Sequence, residues 1–277
     1  MPTRTETLAA IGGHELRSTF RGKMVPAFAA LFAVLAIGVA LAGLGASGKL
    51  MVQGFTRTTV SLLTLALYLL PLLGAILGAA AFGDEDGATA LLLAQPIGRG
   101  EALLGRAAGL YLSLAAVALA GFGAAGALIA VSAGTAGLGG FTLAALGATA
   151  VGCVGLGGGV LLGVLARRRS TAVGWALAVW FAAAILYDLA AITVLQLAGN
   201  GEPGPWLIAL LAANPIDGVR TLGLVALGAD VLLGPTGASL QRLMGPGGGT
   251  LWVLASLAFW LLAPLGAAVG IYRRADF

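Results

Sequence analysis

The stretch Thr58 to Phe82, TTVSLLTLALYLLPLLGAILGAAAF, runs straight into Gly83 to Arg106, GDEDGATALLLAQPIGRGEALLGR, and the junction between the two decides the fold. The first stretch carries no charge and exceeds the ~20 apolar residues needed to cross the hydrocarbon core of a bilayer. The second is a polar interruption between one crossing and the next. Runs of the first kind recur at about Met24 to Leu44, Ala107 to Ser132, Phe141 to Ala166, Thr171 to Leu197 and Thr250 to Tyr272. Six membrane spans are therefore expected, in an all-α integral membrane protein.

Composition supports this. The 277 residues are 59% hydrophobic and only 9% charged, with a mean hydropathy of +1.01, whereas ordinary soluble domains carry roughly 25% charged residues. The spans follow one another so closely that residues 1–277 read as a single transmembrane domain. The pI of 9.7 does not point to nucleic acid. The formal charge is only +4, and the basic residues sit at span ends, where membrane topology places them. Cys153 is the only cysteine and His14 the only histidine, so neither an intrachain disulfide nor a cysteine metal cluster can form, and no metal site is expected.

The positive-inside rule orients the chain. With the N-terminus in the cytoplasm, eleven of the 15 basic residues fall inside: Arg4, Arg17, Arg21, Lys23, Arg99, Arg106, Arg167, Arg168, Arg169, Arg273 and Arg274. Lys49, Arg57, Arg220 and Arg242 fall outside. Six spans place both termini in the cytoplasm, as in a multi-pass protein of the plasma membrane. Met1 to Lys23 is charged throughout and precedes a span-length run, so it does not read as a cleavable signal. Thr5 to Gly22 can form a partly amphipathic helix, with Ala9, Leu16 and Phe20 on one face, lying in the interface plane.

Residues 199–249 are expected to be extracytoplasmic. Within them, Trp206 to Leu233 is apolar enough to imitate a span, but Asn214, Pro215, Asp217 and Arg220 interrupt it. A straight transmembrane helix would expose those groups to lipid at a cost of several kcal/mol each. Two short helices, re-entrant or lying on the outer face, are expected instead. Gly159 and Gly163 form a GxxxG pair that permits close helix approach. Their run lacks the Lys and Ser/Thr of a phosphate-binding loop.

Ionisable groups inside the spans are nearly absent, and such groups mark function by default. Asp188, beside Tyr187 in the fifth span, is the clear exception. It either lines a cavity, pairs with a group on the outer segment such as Arg220, or fixes helix packing through a hydrogen bond. One carboxylate is a thin basis for an ion-coupled carrier, which binds its coupling ion near the midplane. The chain has no HExxH, no nucleophile elbow and no Walker motif. It is not expected to be an enzyme, and energy for any movement must come from another subunit.

The polar segment fits that need. Glu85-Asp86-Gly87-Ala88-Thr89 can end the second span and start a short helix, and Gln95-Pro96 stops it. A short helix on the cytoplasmic face would present Leu91, Leu92 and Leu93 to a soluble partner. The pattern Glu85-x-Gly87-x-Thr89-x-Leu91-Leu92-Leu93-x-Gln95-Pro96-x-x-Arg99, followed by Leu104-Gly105-Arg106, resembles the cytoplasmic coupling segment of ABC-2 type permeases. Arg106 stands where their usual Lys is found. His14-Glu15-Leu16-Arg17 resembles their N-terminal elbow helix, with His14 in place of Lys.

Within those permeases the resemblance is closest to the NosY group, which serves maturation of nitrous oxide reductase. Trp180 through Tyr187-Asp188, Asn214-Pro215-x-Asp217-x-x-Arg220, and the run ending in Asp230 carry it. The resemblance implies a type V exporter-like fold, with an elbow helix (1–23), a coupling helix (83–106) and short helices before the last span. It also implies a homodimer, a cytoplasmic ATPase that binds ATP and Mg, and an extracytoplasmic β-helical NosD-like protein. The implied task is sulfur delivery, or assistance to metal delivery, for the copper–sulfur cluster of the reductase. On this reading Glu85, Gly87, Thr89, Leu91, Leu92, Leu93, Gln95, Pro96, Arg99 and Arg106 transmit ATP-driven motion. Tyr187 and Asp188 tune the cavity between subunits, and Asn214, Pro215, Asp217, Arg220 and Asp230 shape the outer gate or partner site. Alternative readings are a general ABC-2 exporter of a lipid, drug or peptide, and an ion-coupled carrier.

Overall fold

A computed structural model describes residues 4–46, 51–83, 98–135, 137–190, 193, 213–229 and 234–274. Glu85, Gly87, Thr89, Leu91, Leu92, Leu93, Gln95, Pro96 and Asp230 lie outside the described residues. The described elements are all helical. They are α1 (Arg4–Arg21), α2 (Met24–Ala46), α3 (Met51–Phe82), α4 (Arg99–Ala133), α5 (Leu138–Ala166), α6 (Arg169–Phe181), a π-helical turn (Ala182–Leu186) that continues α6 toward Ala190, α7 (Pro215–Ala226) and α8 (Gly234–Arg274). Six of these segments are long and apolar enough to cross a membrane: Met24–Gly43, Phe55–Phe82, Arg99–Ser132, Leu138–Ala166, Arg169–Ala190 and Gly249–Arg274.

Three helices begin earlier than composition indicated, and one is α4, which starts at Arg99, so the end of the polar segment up to Arg106 belongs to it. Helix α3 starts at Met51, so Gln53 and Arg57 belong to the helix. Helix α8 starts at Gly234 and passes through Pro235 and Pro246 before it reaches the last span. At a membrane boundary, continuing the helix satisfies the backbone internally, and that overrides the breaker signals of Gly and Pro.

Helices α3 and α5 form the centre of the bundle. They meet along a seam of small residues. A Cβ on Gly74, Gly155 or Gly159 would collide with the backbone at Gly152, Pro71 or Ala75, respectively, and one on Gly163 would sit 2.8 Å from the Phe82 Cβ. Backbone approach this close lets dispersion replace the hydrophobic drive that lipid does not supply. Among the described residues three apolar clusters lie along the bundle, two of them large. One gathers Phe32, Leu62, Leu67, Phe122, Phe141, Ile216 and Val219. The other gathers Val25, Leu77, Phe82, Leu103, Leu156 and Val160. Helices α6 and α8 are peripheral, and Trp175, Phe181, Leu189, Trp252, Phe259 and Leu262 are exposed on them, as expected of side chains that face hydrocarbon.

One end of the bundle is basic. There Arg169 packs against Gly83, and the Arg273 guanidinium lies over Gly100. Helix α1 lies against the start of α4, where a Cβ on Gly105 would meet Ile11 at 2.9 Å and one on Gly109 would meet the Gly12 carbonyl at 2.5 Å. Arg106 closes this corner. Its Nη2 donates to the Ala81 carbonyl (2.8 Å), its Nε pairs with Glu15 (3.3 Å), and its guanidinium sits 4.9 Å from the centre of the Phe82 ring.

Gly159→Val should destabilise the protein by about 1–3 kcal/mol through overpacking against the α3 backbone. Gly158→Val should cost little, because nothing lies within 4 Å of its Cβ position. Thermal unfolding in detergent followed by size exclusion checks both, and equal stability of the two variants would contradict the seam.

Candidate functional site

Helix α7 does not lie flat on a surface. Its 12 residues reach about 18 Å, little more than half of the ~30 Å hydrocarbon core. Its C-terminal end is beside Gly140, at the start of α5 and away from the basic end, where a Cβ on Gly140 would sit 2.8 Å from the Ala226 carbonyl. Further along, Gly223 packs under Leu63 and Val219 packs on Gly147. Its N-terminal end, at Asn214, reaches the Ala183 carbonyl in the π turn at 2.8 Å. The helix thus enters from the non-basic side and points its N-terminus into the bundle.

Local chemistry explains why it starts there. The Asn214 side-chain oxygen accepts from the Ile216 backbone N–H at 3.1 Å, and Pro215 occupies the first turn, where its missing N–H costs nothing. The Asn214 amide donates to Asp217 Oδ2 at 3.0 Å as well as to Ala183. The carbonyl at Ala183 is available because the π turn widens the helix, with the Tyr187 N–H reaching back to Ala182. Such turns recur at functional sites. One added residue also rotates everything after it by about 100°, which helps bring Asp188 round toward α3 and α7.

Arg220 is the hub. Its Nη1 lies 3.1 Å from Asp188 Oδ2 and 3.1 Å from Asp217 Oδ1, and its Nη2 donates to the Tyr68 hydroxyl at 3.0 Å. The guanidinium carbon is 5.7 Å from the centre of the Tyr68 ring. Tyr68 Oη is also 3.5 Å from Asp188 Oδ2, at the limit of a hydrogen bond. The Tyr68 backbone carbonyl accepts from Trp180 Nε1 at 3.0 Å. Pro71, three residues on, cannot donate to the Leu67 carbonyl, and this loosening of α3 lets nearby carbonyls tilt outward.

Asp188, Asn214, Asp217 and Arg220 therefore form one cluster, with Asp188 paired to Arg220. Pro215 shapes the helix start and touches none of the charges by a hydrogen bond. Tyr187 is adjacent in sequence and takes part in interactions of its own. At the basic end, Glu15 and Arg106 meet directly, and Arg99 begins α4. His14 and Arg17 sit on α1. Sequence reasoning missed Tyr68 as a member of the cluster. Its signal was a phenol in mid-span, which requires a partner when buried.

The arrangement holds two carboxylates and one guanidinium between three membrane helices. It is built to fix positions. Both carboxylates accept from the same guanidinium nitrogen, and Tyr68 and Asn214 add further hydrogen bonds, while Arg220 Nε is buried without a partner among the described residues. Among the described residues no group of three or more His, Cys, Asp or Glu could hold a metal.

Residues 9–277 match the ABC-2 family transporter protein family. The chain belongs to that family. It is 35% identical over 273 residues to the probable ABC transporter permease protein NosY of Pseudomonas aeruginosa, covering 95% of this chain and 97% of that protein. It is 34% identical over 285 residues to the protein of the same name from Stutzerimonas stutzeri, with the same coverage of each. It is a NosY-like ABC-2 permease subunit, and the family implies an ATPase partner in the cytoplasm.

Asn214→Ala should cost about 2 kcal/mol, from loss of the helix cap and of partners for Ala183 and Asp217. Asn214→Ser should recover about 1 kcal/mol of that by restoring the cap alone. Thermal melting in detergent reads both changes. A melting curve for Asn214→Ala that overlays the native one would refute this reading of the helix start.

Proposed function

We propose that this chain acts in maturation of the copper–sulfur site of nitrous oxide reductase, as the membrane subunit of an ATP-driven complex. Two copies of the chain would pair in the plasma membrane with both termini in the cytoplasm. ATP and Mg would be bound by the ATPase, not by this chain. On the outer side a β-helical NosD-like protein would meet the segment that includes α7. The complex would then move a sulfur species, or pass mechanical work to that outer protein. The observation that supports this reading is near-full-length identity to proteins named NosY.

The geometry is consistent with a passive lever. Arg106 binds the last turn of α3 to α1 and α4, so the two ends of the intervening polar segment are held as one base. Force applied to that segment would enter α3 and α4 together. Aspartate 188 is occupied by Arg220, and this favours a positioning role over that of a free coupling-ion site.

A general ABC-2 exporter of a lipid, drug or peptide is the alternative. Adjacent genes for a β-helical protein and for nitrous oxide reductase would favour the first reading, and their absence the second. Leu92 lies outside the described residues, and the docking proposal for it rests on sequence. Leu92→Asp should leave the protein inserted in the membrane but abolish ATPase co-purification in mild detergent. Unchanged co-purification would remove the docking proposal.

A further inference from the structure

Helix α3 touches both functional ends of the molecule. At the basic end its Ala81 carbonyl and Phe82 ring are held by Arg106, one residue before Gly83 and the polar segment. At the middle of the Phe55–Phe82 span stands Tyr68. Between these points α3 is locked to α5 by the glycine seam, with Gly74 and Gly78 against the backbone of Gly152 and Leu156. The same seam backs the break at Pro71, whose carbonyl lies against Gly155, so the helix transmits displacement along its length instead of absorbing it. We propose that Tyr68 is the positioning residue through which α3 sets the placement of α7, linking the ATPase side to the outer segment. The inference rests on the permease reading given above.

The contacts show where the link would part. Each hydrogen bond described here between α3 and helices α6 or α7 ends on Tyr68. Arg220 is held to Asp217 within its own helix and to Asp188 on the α6 extension by charged pairs. To Tyr68 it is held by one hydrogen bond with a neutral acceptor. An ion pair adds the attraction of two full charges to its hydrogen bond, whereas a phenol oxygen offers the guanidinium only a dipole. Helix α7 rests its apolar face on α3 and α5, at Leu63, Gly140 and Gly147, while its N-terminal end is tied to the α6 extension at Asp188 and Ala183. When α3 and α5 shift as a unit against α6, the strain falls where those two demands meet, and the contact between Tyr68 and Arg220 opens or closes. Two discrete arrangements of one packed element are what such coupling requires.

The test uses the assembled complex with its ATPase in lipid nanodiscs. Cys153, the only native thiol, is replaced by Ala, and Val225→Cys places a thiol on the exposed side of α7. The readout is the rate of reaction with a membrane-impermeant maleimide, with and without vanadate-trapped nucleotide. With Tyr68 present, trapping should change the rate about fivefold or more. Tyr68→Phe should leave ATPase co-purification intact and reduce that change below about twofold. A full nucleotide response in Tyr68→Phe overturns the proposal, even if its melting temperature falls, because the hydroxyl would then be only structural. Should Tyr68→Phe fail to fold, Trp180→Phe removes the bond to the Tyr68 carbonyl. A full response there also overturns it, and a lost response supports it. If no ATPase co-purifies with the native chain, the permease reading itself fails. If the ATPase is bound but the native chain shows no response, only the Tyr68 link fails.

Discussion

Arg220 between Asp188 and Asp217 is the interaction on which the half of the bundle away from the basic end depends. Lipid offers no water to satisfy an interrupted helix, so a segment that enters the bilayer only partway must bring its own partners. Helix α7 does so. Asn214 caps its start and reaches Ala183, Asp217 sits in its first turn, and Arg220 ties it to two spans. Without the guanidinium, two carboxylates would be left facing each other in a medium that penalises even one. Pairing makes the half-helix possible.

The basic end solves a related problem with similar economy. Arg106 satisfies Glu15, caps a carbonyl on α3 and covers the Phe82 ring. A guanidinium can do all three because its donors form a planar fork and its face stacks on an aromatic ring. A lysine at that position would meet Glu15 but could not also span the other two contacts. The substitution of Arg for the usual Lys of the family pattern is therefore more than retention of charge in this chain. The glycine seam between α3 and α5 then makes a stiff element of the two helices that join the basic end to the middle of the bilayer.

Much of this was legible in the sequence, for reasons that can be named. Six spans follow from length and apolarity. That the stretch holding Asn214, Asp217 and Arg220 would be re-entrant or lie on a surface, and not be a straight span, follows from those groups. The cost of an isolated carboxylate makes Arg220 one of the partners open to Asp188. The choice among these alternatives needed the structure. Close packing at Gly159 and Gly163 follows from their spacing. What was not legible depends on three-dimensional register. Tyr68 in a span reads as ordinary packing until Arg220 is placed beside it. The π turn at Ala182–Leu186 leaves no mark in a run of alanines. Glu15 and Arg106 are far apart in the chain, and only the laying of α1 along α4 joins them. The early start of α8, through Gly234 and Pro246, runs against local propensity, and the membrane boundary wins.

The charged hub can be tested by the sign of one substitution in two backgrounds. Asp188→Asn is introduced into the native chain and into Arg220→Met, and thermal stability is measured for all four proteins in the same detergent. If Arg220 holds both carboxylates, Asp188→Asn will be neutral or destabilising in the native chain and stabilising in the Arg220→Met background, where it relieves an unpaired charge. The same effect in both backgrounds would mean that Asp188 and Arg220 do not meet, and α7 would have to be placed elsewhere.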